Sequence, residues 1–122
     1  MKDEKGKPQD LRLRTKAFAL RVIKLYAALP KATVAQVLGK QVLRSGTAVG
    51  ANYREAYRAR STAEFTAKLG DCLKELDETT YWLELLAEAG VVTPERLAPL
   101  LDEANQLIAI FTTIVKKKKE EG

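Results

Sequence analysis

The sequence predicts an all-α protein: a single domain folded as an up-down-up-down four-helix bundle. Apolar residues recur every three or four positions along four long segments, which is the spacing of a helix that buries one face. Short breaks containing proline, glycine or capping residues separate these segments, so consecutive helices are expected to run antiparallel. No segment alternates between apolar and polar residues as a half-buried strand would. The length of 122 residues is enough for one core.

The first helix is predicted from Asp10, a possible N-cap, to about Leu29. Pro30 ends it, because the residue before a proline is disfavoured in the helical region. Residues 1–9 are charged and nearly free of apolar side chains, and we interpret them as a mobile tail. This helix has a second apolar side, which comprises Leu13, Ala17, Leu20, Ile23 and Tyr26. The second side suggests that the helix touches more than one neighbour.

Two capping boxes bound the second and third helices. Thr33 with Gln36 predicts the start of the second helix, which runs to about Tyr57 or Ala59. Ser61 with Glu64 predicts that the third helix starts at Ser61. The connection between the two is short, so they are expected to be antiparallel neighbours.

The third helix carries an apolar patch on its outer side, comprising Tyr81, Trp82, Leu85 and Ala89. Gly90 ends this helix, and Thr93-Pro94-Glu95 predicts the start of the fourth, with a cap, a proline in the first turn and a carboxylate at the positive end of the helix dipole. The bundle is predicted to span residues 10–116, with a charged tail over residues 117–122.

The second helix has three different sides. Its basic row is followed by Arg60 and consists of Lys40, Arg44, Thr47, Ala51, Arg54 and Arg58. An opposite side is predicted to face the core, with Val34, Leu38, Val42, Ser45, Val49, Asn52 and Ala56. Between them lie Gly46 and Gly50. Each glycine in a helix costs about 1 kcal/mol against alanine, so the pair predicts the close approach of another helix.

Residues 41–69, together with residues 73–86 downstream, resemble a known family. The matching residues are Gln41, Arg44, Ser45, Val49, Ala51, Asn52, Glu55, Ala56, Ser61, Glu64, Phe65, Leu73, Glu75, Tyr81, Trp82 and Leu83. This pattern resembles the four-helix-bundle proteins encoded in 23S ribosomal RNA intervening sequences of bacteria, and the likeness extends from about residue 11 to 115. The family is similar in fold to the accessory proteins of diversity-generating retroelements. The resemblance implies five-membered rings, work with nucleic acid and no assigned catalytic activity.

The residues that most enzymes need are scarce in this chain. It has no histidine, which removes the commonest general base and metal ligand. The only cysteine, Cys72, lies on a predicted core face and is expected to be a small buried apolar residue. No glycine-rich phosphate loop occurs. The acidic run Glu75, Asp77, Glu78, Glu84 and Glu88 predicts a solvated or subunit-facing surface. We therefore expect no catalytic residues, metal or cofactor.

The charge balance suggests an acidic partner. Lysine and arginine exceed aspartate and glutamate by five, and the estimated pI is about 9.4, which fits RNA, DNA or a membrane surface. No run approaches the roughly 20 apolar residues that span a bilayer. The N-terminal segment lacks the apolar core of a signal peptide, and one cysteine suits a reducing compartment. The expected location is the cytoplasm, without a membrane partner.

The basic row is the predicted nucleic-acid site. Lys40, Arg44, Arg54, Arg58 and Arg60 are its candidate residues, because guanidinium groups bind phosphate oxygens in pairs. Successive members lie about 5 to 6 Å apart along the helix axis, which is near the spacing of phosphates in one strand. These contacts would position the backbone, with RNA the expected nucleic acid. The alternative is an adaptor whose basic face docks an acidic protein such as a reverse transcriptase.

Self-assembly is predicted from two surfaces that a lone bundle does not explain. Gly46 and Gly50 leave one side of the second helix without side chains. Trp82 and Leu85, beside Tyr81, place large side chains on the outer side of the third helix. For Tyr53 and Tyr57, packing at a helix or subunit contact is favoured over base stacking. A groove and a knob on different sides make a head-to-tail contact, which predicts a cyclic homo-oligomer. The family resemblance selects a homopentamer.

Overall fold

The structure, a computed structural model, describes residues 10–121. It contains α1 (Leu11–Ala28), α2 (Thr33–Tyr57), α3 (Thr62–Glu88) and α4 (Pro94–Glu121). No strand occurs between residues 10 and 121, so the all-α, four-helix prediction is confirmed. The predicted tail over residues 1–9 lies outside the described residues. None of the four helices is long and apolar enough to cross a membrane.

Three of the four helix starts follow the predicted signals. Asp10 is the N-cap of α1, and its carboxylate accepts hydrogen bonds from the backbone N–H groups of Arg12 and Leu13. Ser61 caps α3 by accepting from the N–H of Glu64, whose own carboxylate accepts from the N–H of Arg60. Helix α4 opens at Pro94 after Thr93. At the end of α3, Gly90 has a φ of 77°, which favours glycine.

The start of α2 and the end of α4 differ from the prediction. Ala32 stands at the N-cap of α2 and offers no side-chain acceptor, while Thr33 is already helical. Gln36 binds elsewhere: its amide nitrogen donates to the carbonyl of Pro30, and its amide oxygen accepts from the Tyr26 hydroxyl. The predicted capping box is therefore wrong. Helix α4 continues to Glu121, so most of the predicted C-terminal tail is helical, with lysines favourably placed at the negative end of its dipole.

Every helix contributes to one core. Phe18 of α1, Val49 of α2, Leu76 of α3 and Phe111 of α4 are among its fully buried side chains. Two buried hydroxyls join α2 to α3, because Thr79 Oγ1 donates to Ser45 Oγ at 2.8 Å. Each hydroxyl also contacts a carbonyl of its own helix. These contacts satisfy polar groups that would otherwise be costly to bury.

The core face of α2 is turned further toward the glycines than predicted. Val34, placed on the core face from periodicity, is exposed, whereas Gly39 and Gly46 are buried. The reason is that α1 lies against the glycine side of α2, where no side chain of α2 intervenes. Helix α2 therefore divides its inner surface between α1 on one side and α3 on the other.

Neighbouring helices pack broadly, but α1 and α4 share only a narrow contact. That contact includes the guanidinium of Arg14, which donates to both carboxylate oxygens of Glu103 at 2.7 and 2.9 Å. The antiparallel order places the start of α1, the end of α2, the start of α3 and the end of α4 at one end of the bundle. The terminal residues of all four helices can thus form a common surface.

Candidate nucleic-acid interface

The basic row predicted on α2 is divided in the structure. Arg44 faces α3, where its guanidinium lies 2.7 Å from Glu78 Oε1 and 3.5 Å from Glu75 Oε1. Two carboxylates offset part of its charge, so Arg44 is a weaker candidate for phosphate binding than the sequence suggested, and its place in the site stays a prediction. The acidic residues Glu75 and Glu78 likewise serve as partners of this arginine. Lys40 is exposed toward the opposite end of α2 from the remaining arginines.

The remaining arginines of α2 lie beside the start of α1. Arg54 and Arg58 line a concavity of about 370 Å³ together with Arg12 and Lys16. The remaining lining residues are Asp10, Leu13 and Tyr57. Antiparallel packing brings these four cations to one place although they come from two separate segments. These like charges repel one another, and a bound anion would offset that repulsion.

Sequence reasoning missed Arg12 and Lys16. A signal was available, because these two cations are four residues apart and therefore lie on the same side of α1. It was not informative alone, since a charged outer face is common on any helix of a soluble bundle. What the sequence did not reveal is that this side of α1 borders the arginine-bearing end of α2.

Arg60 and Lys118 extend the cationic surface around the end of the bundle. Both line a second concavity, of about 310 Å³, with Tyr57 and Phe65. The ammonium of Lys118 lies 5.9 Å from the centre of the Phe65 ring, within range of a cation–π contact. We call the surface formed by Arg12, Lys16, Arg54, Arg58, Arg60 and Lys118 the basic end.

Some acidic groups lie at the basic end and limit its charge. Asp10 Oδ1 is 3.6 Å from Nε of Arg12, and Glu55 pairs with Lys68 of α3. Both pairs are largely exposed, and exposed ion pairs are weak and screened by salt. The hydrogen bond from Lys68 to Glu55 raises the pKa of the Lys68 ammonium, which keeps this lysine charged at neutral pH.

The two tyrosines at this end have different surroundings. The Tyr53 ring is half-buried, with its centre 5.7 Å from that of Phe111, and burial followed by the nearby Asp10 charge raises the pKa of its phenol. Tyr57 is 55% exposed, and the guanidinium carbon of Arg12 lies 4.2 Å from its ring centre. Tyr53 is therefore largely covered by its own chain, while its role at an oligomer interface stays a prediction. Tyr57 belongs to the basic end.

The glycines predicted to receive a neighbouring subunit receive α1 of the same chain. A Cβ on Gly46 would lie 2.7 Å from Cγ2 of Val22, and one on Gly50 would lie 3.3 Å from Oγ1 of Thr15. The prediction of a close helix approach is right. Contact with α1 accounts for both glycines within one chain, although Gly50 also lines a concavity of about 270 Å³. Their role in an oligomer interface therefore stays a prediction.

The aromatic patch on α3 is partly available to a partner. Tyr81 is exposed, whereas Trp82 is partly buried against the core, and their ring centres lie 5.0 Å apart in an edge-to-face contact. Within residues 10–121 the indole N–H of Trp82 is buried without a hydrogen-bond partner. Leu85 is partly exposed. Trp82 is thus mainly a packing residue, and Tyr81 is the more accessible side chain.

Exposed valines of α2 adjoin this patch. The pairs Arg44–Glu78 and Ser45–Thr79 set the antiparallel register of α2 against α3. Continuing that register toward the start of α2 places Val37 opposite Leu85. Val34 and Val37 are both exposed. We call this surface the α2–α3 apolar patch, comprising Val34, Val37, Tyr81, Trp82 and Leu85.

Cys72 is an unreactive core residue. It is fully buried, and its thiol lies 3.5 Å from the carbonyl oxygen of Val49, to which it donates. Burial is the main cause that raises its pKa to about 12. The thiol therefore stays protonated at neutral pH and is a weak nucleophile. The predicted burial of this cysteine is confirmed.

The family model and a solved structure place this chain in the same family of proteins. The family model of the 23S rRNA-intervening sequence proteins matches residues 9–113. A crystal structure of a protein of unknown function from the S23 ribosomal protein family of Bacteroides thetaiotaomicron is 39% identical, with a TM-score of 0.81. The match covers 86% of this chain and 97% of that one. A comparison with curated proteins gives no match. Since the family model spans most of the sequence, the chain belongs to the 23S rRNA-intervening sequence protein family.

Proposed function

We propose that this protein is a non-enzymatic, homo-oligomeric nucleic-acid-binding protein, with RNA the expected ligand, and that its basic end contacts the phosphate backbone. The observation that carries the proposal is the meeting of Arg12 and Lys16 with Arg54 and Arg58 around one concavity of about 370 Å³. A cluster of this kind attracts a polyanion from a distance and gains affinity through the counterions that the nucleic acid releases.

The chemistry of the cluster suits an oxyanion such as phosphate. Three of the four side chains are arginines, whose planar guanidinium groups form paired hydrogen bonds with phosphate oxygens. The cations lie along adjoining concavities of about 370 and 310 Å³. An extended surface of this kind supports contact with several consecutive phosphates, which positions a strand without reading its sequence.

The first experiment compares two variants that lose the same charge. One replaces Lys16, Arg54 and Arg58 with glutamine, and the control replaces the exposed cations Arg21, Lys24 and Lys31. Binding of labelled RNA and DNA is measured over a range of salt concentrations. We expect the first variant to bind at least about tenfold more weakly and its slope of log K against log salt to shrink by about 0.7 to 0.9 per lost contact.

Two results would contradict the proposed surface. If both variants bind alike, the effect reflects net charge and the basic end has no special role. If wild-type protein binds no RNA, single-stranded DNA or duplex DNA, the same surface is better explained as a dock for an acidic protein such as a reverse transcriptase. Arg44→Gln is expected to leave the salt slope at its wild-type value, because Glu75 and Glu78 already pair with this arginine.

The assembly part of the proposal is supported by two separate apolar surfaces. On α1, Leu13 and Leu20 are 65% and 57% exposed, and Ile23 is exposed beside them. We call these three residues the α1 stripe. The α2–α3 apolar patch lies on other helices, so contact between the two surfaces would be head to tail. Such contacts close into a ring or grow into a filament, and we propose the ring. The family resemblance suggests five subunits.

A ring would multiply a weak contact. Each subunit would contribute one basic end, and a strand that reached several of them would bind with a gain set by effective concentration. Light scattering at micromolar concentration measures the assembly. A mass near the 13.5 kDa of one chain would contradict it.

A further inference from the structure

We infer that Tyr57 and Arg12 form a stacking platform for an unpaired base, so that the preferred ligand is single-stranded nucleic acid. This inference rests on the proposed function and adds the strand type and the residue that selects it. Sequence reasoning favoured packing as the role of Tyr57. The structure reverses that preference, because the ring is 55% exposed at the centre of the basic end.

The first argument is the position of Tyr57 between two cationic concavities. It lines the concavity that contains Arg12, Lys16, Arg54 and Arg58, and it also lines the one that contains Arg60 and Lys118. A strand that crosses from one to the other passes over the Tyr57 ring. Its phosphates would then contact cations on both sides while the base between them lies against the aromatic ring.

The second argument is the arrangement of the side chains around the ring. The guanidinium of Arg12 lies 4.2 Å from the Tyr57 centre, and its Nε is 3.6 Å from Asp10 Oδ1. Bases stack both on tyrosine rings and on arginine guanidinium planes. Tyr53 supports the platform from the core side, with its ring centre 6.4 Å from that of Tyr57. The Arg12 guanidinium and the two tyrosine rings therefore lie side by side without a ligand.

The third argument concerns the strand type. In a duplex the faces of the bases are covered by their neighbours, so a ring on a protein surface reaches only bases that are unstacked. A duplex at the basic end would use the cations and leave Tyr57 without a partner. Single-strand binding proteins combine these same two features, a cationic groove and exposed aromatic rings. Every base has a stacking face, so no sequence preference is expected from this contact.

The test separates stacking from charge. Tyr57→Leu removes the aromatic face, Tyr57→Phe keeps it, and neither changes the charge at neutral pH. Each protein is titrated with a short mixed-sequence single-stranded RNA, with its duplex, and with the same strand carrying abasic positions. Tyr57→Leu should weaken single-strand binding on the order of 5- to 100-fold, the range for loss of one stacked base. Tyr57→Phe should bind as wild type.

Two internal controls accompany this test. Duplex affinity and the salt slope should be the same for Tyr57→Leu and wild type, since no phosphate contact is lost. Wild type should bind the abasic strand more weakly than the intact strand, a comparison that needs no variant and so does not depend on how the variants fold.

The outcomes distinguish the two proposals. If Tyr57→Leu binds the single strand as tightly as wild type, or if abasic positions have no effect, the stacking platform is overturned while backbone binding at the basic end stands. If wild type prefers the duplex, the inferred strand type is wrong. If wild type binds neither form, the proposed function fails and this inference fails with it.

Discussion

At the residue scale, the glycines of the helices differ in what surrounds them. Gly46 faces Val22 across the contact between α1 and α2, and an added Cβ would lie 2.7 Å from a methyl carbon of that branched side chain. Gly70 is exposed on α3, and within residues 10–121 no heavy atom outside its own helix backbone and chain neighbours lies within 4 Å of such a Cβ. The same substitution should therefore have opposite effects at the two positions.

We predict that Gly70→Ala raises the free energy of unfolding by about 0.5 to 1 kcal/mol, because alanine is the better helix former and restricts the unfolded chain. Gly46→Ala should lower it by about 1 to 3 kcal/mol, since overpacking outweighs the gain in helix propensity. Urea unfolding at one fixed protein concentration measures both. A combined Gly46→Ala and Val22→Ala variant should lose less than the sum of its single changes. Equal stabilisation at both glycines would contradict this account.

At the element scale, the helices differ in how their first N–H groups are satisfied. Ser61 caps α3 through its hydroxyl, 3.0 Å from the N–H of Glu64. At the start of α2, Ala32 has the extended backbone of an N-cap, with φ −59° and ψ 148°, but its methyl group accepts no hydrogen bond. The start of α2 is therefore set by the backbone conformation at Ala32, without a hydrogen bond to a capping side chain. Its stability comes from contacts with α1 and α3.

We predict that Ala32→Asp raises the free energy of unfolding by about 1 kcal/mol, because the new carboxylate can accept from the first free N–H groups of α2 and favours the positive end of its dipole. Ser61→Ala should lower it by a similar amount. Thermal or urea unfolding of both variants measures the pair. If Ala32→Asp is neutral while Ser61→Ala is destabilising, the uncapped N–H groups of α2 are already satisfied by water at no cost.

At the scale of the whole molecule, cations gather at one end, and the exposed apolar surface of α1 reaches that end at Leu13. The basic end gathers residues from α1, α2 and α4 and from the connection that precedes α3. The α1 stripe and the α2–α3 apolar patch are exposed on different helices. Exposed apolar residues in clusters of this kind are common at protein contacts. If each surface meets the other on a neighbouring copy, every subunit in a closed ring uses both.

This arrangement predicts a complementation result. Leu20→Glu with Ile23→Glu disables the α1 stripe, and Val37→Glu with Tyr81→Glu disables the α2–α3 apolar patch; all four residues are exposed in the single chain, so folding should be little affected. Each variant alone should have the mass of one subunit. A mixture should form a pair, because each variant retains the surface that the other lacks. A mixture that stays monomeric, beside an assembled wild type, would contradict a head-to-tail contact.

Much of the fold followed from local patterns. The four helices, the caps at Asp10 and Ser61 and the stop at Gly90 were predicted because each signal acts within a few residues. The capping box at Thr33 was the exception. There, Gln36 binds Pro30 and Tyr26 and makes no return contact to the start of its helix. A motif of two residues predicts the contact only when no stronger partner lies nearby.

The candidate site was predicted less completely. The predicted residues Arg54 and Arg58 line one concavity, whereas Arg44 lies apart from them against α3. Arg12, which the sequence did not single out, lies beside Arg54 and Arg58. Periodicity reports the side of its own helix on which a residue lies. It does not report which helix lies opposite. Both arginines concern that second question, because Arg44 meets carboxylates of α3 and Arg12 meets the end of α2.

The sequence by itself determined the helical class, the number of helices, the burial of Cys72 and the need for a close approach at Gly46 and Gly50. Only the tertiary structure decided that α1 makes that approach, that Tyr53 faces the core while Tyr57 is exposed, and which cations share one surface. The physical reason is the range of the interactions. Helix formation and capping depend on residues within about one turn, whereas the register between helices depends on how all the side chains of two surfaces fit together.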